Sequence, residues 1–320
     1  MTSDAAETAV TPDDLLTPGF MKKLERFRMC SRVIHPGASM GERVSRARGS
    51  GMEFADHKEY SPGDDFRMID WNVYARLDEF VVKVFETEEN LSVCVLLDVS
   101  ASMDFGAGTT KWVTAARLAA ALGYIALVNR DALTVFRFAE TLSEPFEAAR
   151  GRGHLRQMLR RLSTGTPAGQ TDFVTSLRAA GMQLHRPGVC FVISDFCTAD
   201  PSTSLGAGPS TSLGASRLAE ALKGLVYYGH EIVALHVLDP LEADPGLEGE
   251  LDVEDAETGE LVPMTVKADT LRRYREAFEH RCRAVAAACA AYDAKYLRIS
   301  TTDSLENTVL YRFRREGIVE

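Results

Sequence analysis

Short runs of strand-forming residues alternate with longer helix-patterned stretches from residue 91 to residue 299, and no other feature narrows the fold as far. The runs are 91–97 (LSVCVLL), 132–138, 189–193 (VCFVI), 231–238 (EIVALHVL) and 295–299, with 142–146 as a short edge strand returning beside 132–138. Between them, 111–129, 154–162, 173–185, 216–228 and 270–292 read as helices, and the many alanines of 111–129 allow close packing on a sheet. Short, continuously apolar strands are the habit of parallel sheets covered on both faces. The expected fold is therefore α/β, a doubly wound, mainly parallel sheet flanked by helices. Such sheets bind ligands outside the carboxyl ends of their strands. That rule singles out Asp98, Asp195 and Asp239, each of which follows or nearly follows a strand.

Outside this alternation, residues 1–16 carry no apolar period and are expected to be a disordered leader. Phe20, Met21, Leu24, Phe27 and Met29 suit an amphipathic helix over 18–32, and a Gly- and Ser-rich loop follows at 37–51. The heptapeptide PSTSLGA at 201–207 is repeated unchanged at 209–215, has no apolar face, and is expected to make 201–215 a flexible insertion. Residues 239–266 form an acidic hairpin insertion, with DAETG at 255–259 as the turn. A helix is expected over 303–320.

The net charge of −10 sits in one place: residues 239–260 hold ten acidic side chains and no basic one. Overall acidity argues against nucleic acid as the partner, although 22–48 leans basic with eight Lys and Arg. The acidic segment is open to two readings, a docking surface or a solvated loop, and the arginines at 150, 152, 156, 160 and 161 to a solvated face or a phosphate contact. None of the six cysteines forms a C-x-x-C pair, so reduced thiols are expected, and the scattered histidines offer no zinc site. Apolar stretches such as 118–128 break off early and residues 1–16 lack a signal-peptide pattern, so the expectation is no integral membrane segment and a cytoplasmic location.

Asp98, Ser100 and Ser102 carry the chemistry. A carboxylate and two hydroxyls at alternate positions, on a loop leaving a buried strand, can offer three oxygens to one hard cation that wants about six. Hydroxyls add ligands without adding charge, which leaves the ion able to accept a carboxylate from another molecule. Thr171 can add a hydroxyl from a neighbouring loop, with Asp172 capping the helix that follows. Asp195, at the end of the VCFVI run, can bring a second carboxylate. Asp98, Ser100, Ser102, Thr171 and Asp195 resemble, position by position, the metal-ion-dependent adhesion site of von Willebrand factor type A domains. The resemblance implies one Mg²⁺ or Mn²⁺, with the hydroxyls contacting it directly or through water and the aspartates acting largely through water.

The segment YSPGDDFRMIDW at 60–71, with Ala75-Arg76, the strand-like 81–88 and DAETG, resembles the bacterial family called domain of unknown function 58. That resemblance implies an N-terminal family segment at 17–90 packing on a type A-like domain at 91–302. It also implies a MoxR-type AAA+ ATPase as partner. Physically, Pro62-Gly63 suits a type II turn, Asp64 or Asp65 can cap the turn after it, Phe66, Ile69 and Val73 share a face, and Arg67, Asp70 and Arg76 are placed for ion pairs. The block either braces the N-terminal segment or binds directly. The expected function is a non-enzymatic protein-binding module, in which an acidic side chain of the partner completes the ion's coordination. The alternatives are a metal-dependent phosphoryl-transfer or hydrolytic enzyme with Asp98 or Ser100 as nucleophile, or a structural protein whose site is empty. No P-loop and no histidine placed as a general base is legible, which counts against the enzyme.

Overall fold

A computed structural model describes residues 11–32, 52–87, 91–106, 108–197, 211–247, 249–254 and 261–320. In chain order its elements begin with α1 (Pro12–Leu15), α2 (Pro18–Leu24), β1 (Met52–Glu59), α3 (Trp71–Leu77) and β2 (Val81–Thr87). They continue with β3 (Ser92–Asp98), α4 (Lys111–Val128), β4 (Ala132–Phe138), β5 (Phe146–Ala149), α5 (Leu155–Ser163), α6 (Phe173–Gln183) and β6 (Val189–Ser194). Then come α7 (Thr211–Tyr227), β7 (Glu231–Leu238), α8 (Pro240–Ala243), β8 (Gly249–Glu254), β9 (Leu261–Val266), α9 (Ala268–Ala290) and β10 (Lys295–Ser300). Two compact units result, one of residues 34–90 and one of 1–33 with 91–320.

The larger unit is built on a six-stranded sheet ordered β10-β7-β6-β3-β4-β5, parallel except for β5. The strands of its centre are buried on both faces, and successive side chains point to opposite layers. Val93, Val95 and Leu97 of β3 join α4, α5 and the N- and C-terminal segments in one layer. Cys94 and Leu96 join residues of α6, α7 and α9 in the other. Leu96 is fully buried, so Leu96→Ala is expected to cost about 2–5 kcal/mol. Gly188 marks the close start of β6 beside β3, where a Cβ would run into the Ser92 carbonyl.

The strand order sets where a ligand can enter. From β3 the chain crosses to β4 on one side, and later returns to place β6 on the other side of β3. The helices after β3 and β6, α4 and α7, then lie on opposite faces, which opens a crevice between the carboxyl ends of these two strands. Asp98 ends β3, and Ser194 ends β6.

Several expectations need correction. The leader ends sooner than residue 16, because Leu15 and Leu16 are buried in the core; residues 1–10 lie outside the described ones. The helix expected over 18–32 stops at Leu24, and the chain then runs extended, with Met29 bridging Val319. The tail after β10 is helical only over 305–315, with a π-helical turn at Thr308–Arg312, because Val319 is needed for that bridge. The edge strand is Phe146–Ala149 rather than 142–146, since Leu142 makes only an isolated bridge to Phe138. Residues 211–215 of the repeat belong to α7, and 201–210 lie outside the described residues. β8 and β9 pair antiparallel from Gly249↔Val266 to Glu254↔Leu261, while the DAETG turn itself is outside the described residues. Helix α4 has the length and mean hydropathy (1.3) of a membrane span, more than the apolar run at 118–128 suggests, and 78% of that window is buried inside the fold.

The 17–90 segment divides, since residues up to 33 belong to the larger unit. In the smaller unit β1 and β2 pair antiparallel, with a bulge between Phe54 and Asp56. Gly63 adopts a φ of +117° in the Ser61–Asp64 turn, as a type II turn requires. Asp65 caps the short 3₁₀ turn Phe66–Met68, and Asp70 caps α3 through the Asn72 and Val73 N–H groups. Phe66, Ile69 and Val73 do not share a buried face, because Phe66 is exposed while Ile69 is buried. Asp70 meets His57 at 3.2 Å, and Arg67 stands over the Phe66 ring.

Candidate metal centre

The apolar run of β3 drives Asp98 into the interior, where its side chain is fully buried. Burial of a carboxylate demands partners, and Asp98 has two local ones. Its Oδ1 accepts the Ser100 N–H at 2.9 Å, and its Oδ2 accepts the Ser194 hydroxyl at 2.5 Å. Ser194 is brought there by register, because Leu97 pairs with Ile193 and the next residues on each strand stand side by side.

Beyond Asp98 the chain makes a 3₁₀ turn, Ala101–Asp104, with Ser100 at its N-cap position. The Ser100 side chain makes no capping bond, and its Oγ lies 3.0 Å from the Ser102 Oγ. Ser100 is buried and Ser102 half-buried. Gly106, on the same loop, has a φ of +150°, and a Cβ there would lie 2.6 Å from the Thr109 carbonyl oxygen. Only glycine suits that turn.

The loop between α5 and α6 is bonded to this one by its backbone. The Ala168 N–H donates to the Val99 carbonyl at 2.8 Å, and the Ala101 N–H donates to the Gly169 carbonyl at 2.9 Å. The Asp172 N–H donates to Ala139 at the end of β4, and the Asp172 side chain caps α6 through Thr175. Thr171 is thereby fixed beside the Asp98 loop. Its hydroxyl oxygen is buried and has no hydrogen-bond partner.

Asp195 follows β6 and is 1% exposed. Its Oδ1 accepts the Cys197 N–H at 3.0 Å, and Phe196 between them takes a φ of +48°. Its Oδ2 accepts the Lys111 ammonium at 2.6 Å, and the same ammonium donates to Glu242 Oε1 of α8 at 2.7 Å. Burial pushes Asp195 up, but the Lys111 charge and hydrogen bond outweigh it and hold the carboxyl below its usual range. Burial likewise disfavours the charged form of Lys111, and Asp195 with Glu242 reverses this, raising the ammonium above its ordinary value. Asp98 has no such cation. Burial, then the Asp195 charge, pushes it up to about 7. The rim thus holds one carboxylate locked in its charged form and another poised near neutrality.

His236 lies beneath this rim on β7. Burial pulls it down to about 3, its Nδ1 is 2.7 Å from the Tyr296 hydroxyl, and Phe196 meets its ring edge-on. The six cysteines are free thiols.

All five residues singled out in the sequence therefore stand on three loops at the carboxyl edge. Asp98, Ser100 and Ser102 are joined in one hydrogen-bonded chain, Asp195 adjoins it through Ser194, and Thr171 is held by backbone bonds alone. Among the described residues no group of three His, Cys, Asp or Glu side chains gathers to hold an ion, so any metal here would rest chiefly on hydroxyl oxygens. Lys111 and Glu242 escaped the sequence reading because they lie 84 and 131 positions from their partners. One sign was visible: a lysine opens α4, where the helix dipole disfavours a cation, in a turn without acidic residues.

Comparison with known proteins gives kinship without a function. Rv1480 of Mycobacterium tuberculosis strain H37Rv and Mb1516 of Mycobacterium bovis, both described as uncharacterized, are 28% identical over 268 residues, 81% of this chain and 79% of each relative. Among solved structures, the conserved hypothetical protein BatB from Bacteroides thetaiotaomicron is similar at 15% identity and a TM-score of 0.43, over 71% of this chain and 98% of that one. An aerotolerance-related membrane protein from Bacteroides fragilis gives 16% and 0.41 over the same shares. Likeness at that level carries no argument about this chain. The family model described as "Protein of unknown function DUF58" matches residues 56–287, most of the chain, and the chain belongs to that family.

Proposed function

We propose that this chain is a non-enzymatic protein-binding module with a von Willebrand factor type A-like domain. In this reading Asp98, Ser100, Ser102, Thr171 and Asp195 hold one Mg²⁺ or Mn²⁺ at a metal-ion-dependent adhesion site. The observation that carries it is the Thr171 hydroxyl, buried and unpaired on a loop bonded to the Ser100 loop. Leaving such a group unsatisfied costs roughly 1–3 kcal/mol, a cost that ligation of a cation removes. The donor set fits a hard ion, being oxygen throughout. Ligands about 2.1 Å from Mg²⁺ in octahedral array stand about 3 Å apart, and the two serine oxygens are separated by 3.0 Å.

When bound, the ion supplies a compact double charge that accepts a carboxylate oxygen from the partner. The protein's own groups prepare that step. Asp98 orients the Ser100 backbone, the three hydroxyls contribute oxygen without charge, and Asp195 is balanced by Lys111. Catalysis by Ser100 finds no support in these surroundings. Its hydroxyl lies against the Ser102 hydroxyl and beside Asp98, whose carboxyl oxygens already accept the Ser100 N–H and the Ser194 hydroxyl. The nearby lysine is kept protonated by two carboxylates, so it cannot take up a proton.

The partner proposed is a MoxR-type AAA+ ATPase offering an acidic side chain, which sets the module in the cytoplasm. Pull-down of such an ATPase by the full chain is expected in Mg²⁺ and not in excess chelator. Equal capture in both conditions would refute the reading.

A further inference from the structure

We propose that Lys111 is a resident counter-cation of the metal centre, one that loosens its hold on a divalent ion and so keeps that ion receptive to an outside carboxylate. The inference rests on the cation-site reading and concerns a residue outside the five ligand positions.

Three observations support it. The first is location. Lys111 is the first residue of an 18-residue helix, the end at which the backbone dipole repels positive charge, and its side chain is 1% exposed. Stability alone gives little reason for a cation there, since a buried ion pair is commonly matched or bettered by an apolar residue of similar volume. The second is the company it keeps. The ammonium is shared by Asp195, 1% exposed, and Glu242, 16% exposed, and lies 5.8 Å from the centre of the Phe105 ring. Its partner in the crevice is one of the two carboxylates of the proposed site, so its charge acts directly on the charge available to an ion.

The third is how firmly the arrangement is anchored. Glu242 accepts the Asp239 N–H in a capping box at the start of α8, and Asp239 accepts the Thr301 hydroxyl at 2.6 Å beyond β10. Lys111 is therefore clamped between the site and the root of the acidic segment, and its ammonium is the cation paired with Asp195, with Arg281 adding a weaker attraction. Asp98 and Asp195 would together give a site of charge −2. Lys111, itself shared with Glu242, offsets part of that charge, so a divalent ion there keeps more positive charge for a partner's carboxylate to neutralise.

The sign of the effect separates this role from a purely structural one. Mg²⁺ alone is titrated calorimetrically into the full-length wild type, Lys111→Met, Lys111→Gln and Glu242→Gln near pH 8. Removing the lysine charge is expected to tighten Mg²⁺ binding about tenfold or more, and Glu242→Gln, which leaves the ammonium less compensated, to weaken it several-fold. Weaker or unchanged binding in the Lys111 variants overturns the proposal, because a mere brace would lower affinity when removed. Lys111→Gln retains a hydrogen-bond donor towards Asp195 and decides the matter should Lys111→Met fail to fold; if neither folds, tighter or unchanged binding by Glu242→Gln overturns it and weaker binding upholds it. Absence of Mg²⁺ binding by the wild type would instead bring down the cation-site reading itself.

Discussion

The 34–90 unit and the carboxyl edge of the large sheet are both rich in aspartate and hydroxyl groups, yet they use them in opposite ways. In the smaller unit the carboxylates are spent on local structure. Asp64 accepts the Ser61 N–H and lies near Lys58, Asp65 caps a 3₁₀ turn, and Asp70 caps α3 while meeting His57. At the sheet edge, the Ser100 hydroxyl ignores its capping opportunity and the Thr171 hydroxyl is left with no partner at all. Polar groups with full sets of partners mark scaffolding. Buried polar groups held short of them are the better guide to a ligand.

Substitutions on either side should break this contrast in distinguishable ways. The largest effect is expected from Asp98→Asn, which keeps the shape of the side chain and removes its charge. Mg²⁺-dependent thermal stabilisation and partner capture should both vanish, with the fold retained by circular dichroism. Thr171→Val should come next. It is expected to weaken Mg²⁺ binding about tenfold while leaving the metal-free protein as stable as before, or more stable by about 1 kcal/mol, because an unpaired buried hydroxyl has gone. A loss of metal-free stability would mean that the hydroxyl has a partner in solution, and the contrast would lose its basis.

The pH dependence offers a third test. Asp98 is raised from 3.8 to about 7 by burial and by Asp195, so between those values the folded protein binds more protons than the unfolded one. Its contribution to metal-free stability is fully present below the unfolded value and is lost as pH rises through about 7. An ion favours the charged carboxylate. The stabilisation gained from saturating Mg²⁺ should therefore increase from about pH 5.5 to about pH 8, and a flat profile would detach Asp98 from the site. The smallest effect is expected for Asp65→Ala, about 1 kcal/mol at most from the lost cap, with Mg²⁺ affinity unchanged. A change in affinity there would undo the division of labour between the two regions.

Much of this layout could be read in the amino-acid order. The central parallel strands β3, β6 and β7 announce themselves as short apolar runs, because they are buried on both faces and need no alternation. The rim residues follow, since the ends of β3 and β6 locate Asp98 and Asp195. What sequence hides is pairing at a distance. Lys111 reads as one more helix-opening residue until Asp195 and Glu242 converge on it. That the Thr171 hydroxyl lacks a partner is likewise a property of the folded chain and of nothing shorter. The edge strand lies a few residues beyond its expected place because Leu142 and Phe146 are equally apolar, and only the antiparallel pairing of Phe146 with Val135 decides between them. The helix expected over 18–32 ends early for a similar reason. Phe27 and Met29 continue the apolar period, but Met29 is claimed by a strand-like bridge to Val319, almost three hundred positions away.

The most direct test is the position of a bound ion. Crystals of the full chain grown or soaked with Mn²⁺, measured for anomalous scattering, should show a single strong peak bounded by the Ser100, Ser102 and Thr171 hydroxyls, and that peak should be lost in Asp98→Asn. A peak elsewhere on the chain, or none at saturating Mn²⁺, would contradict the account.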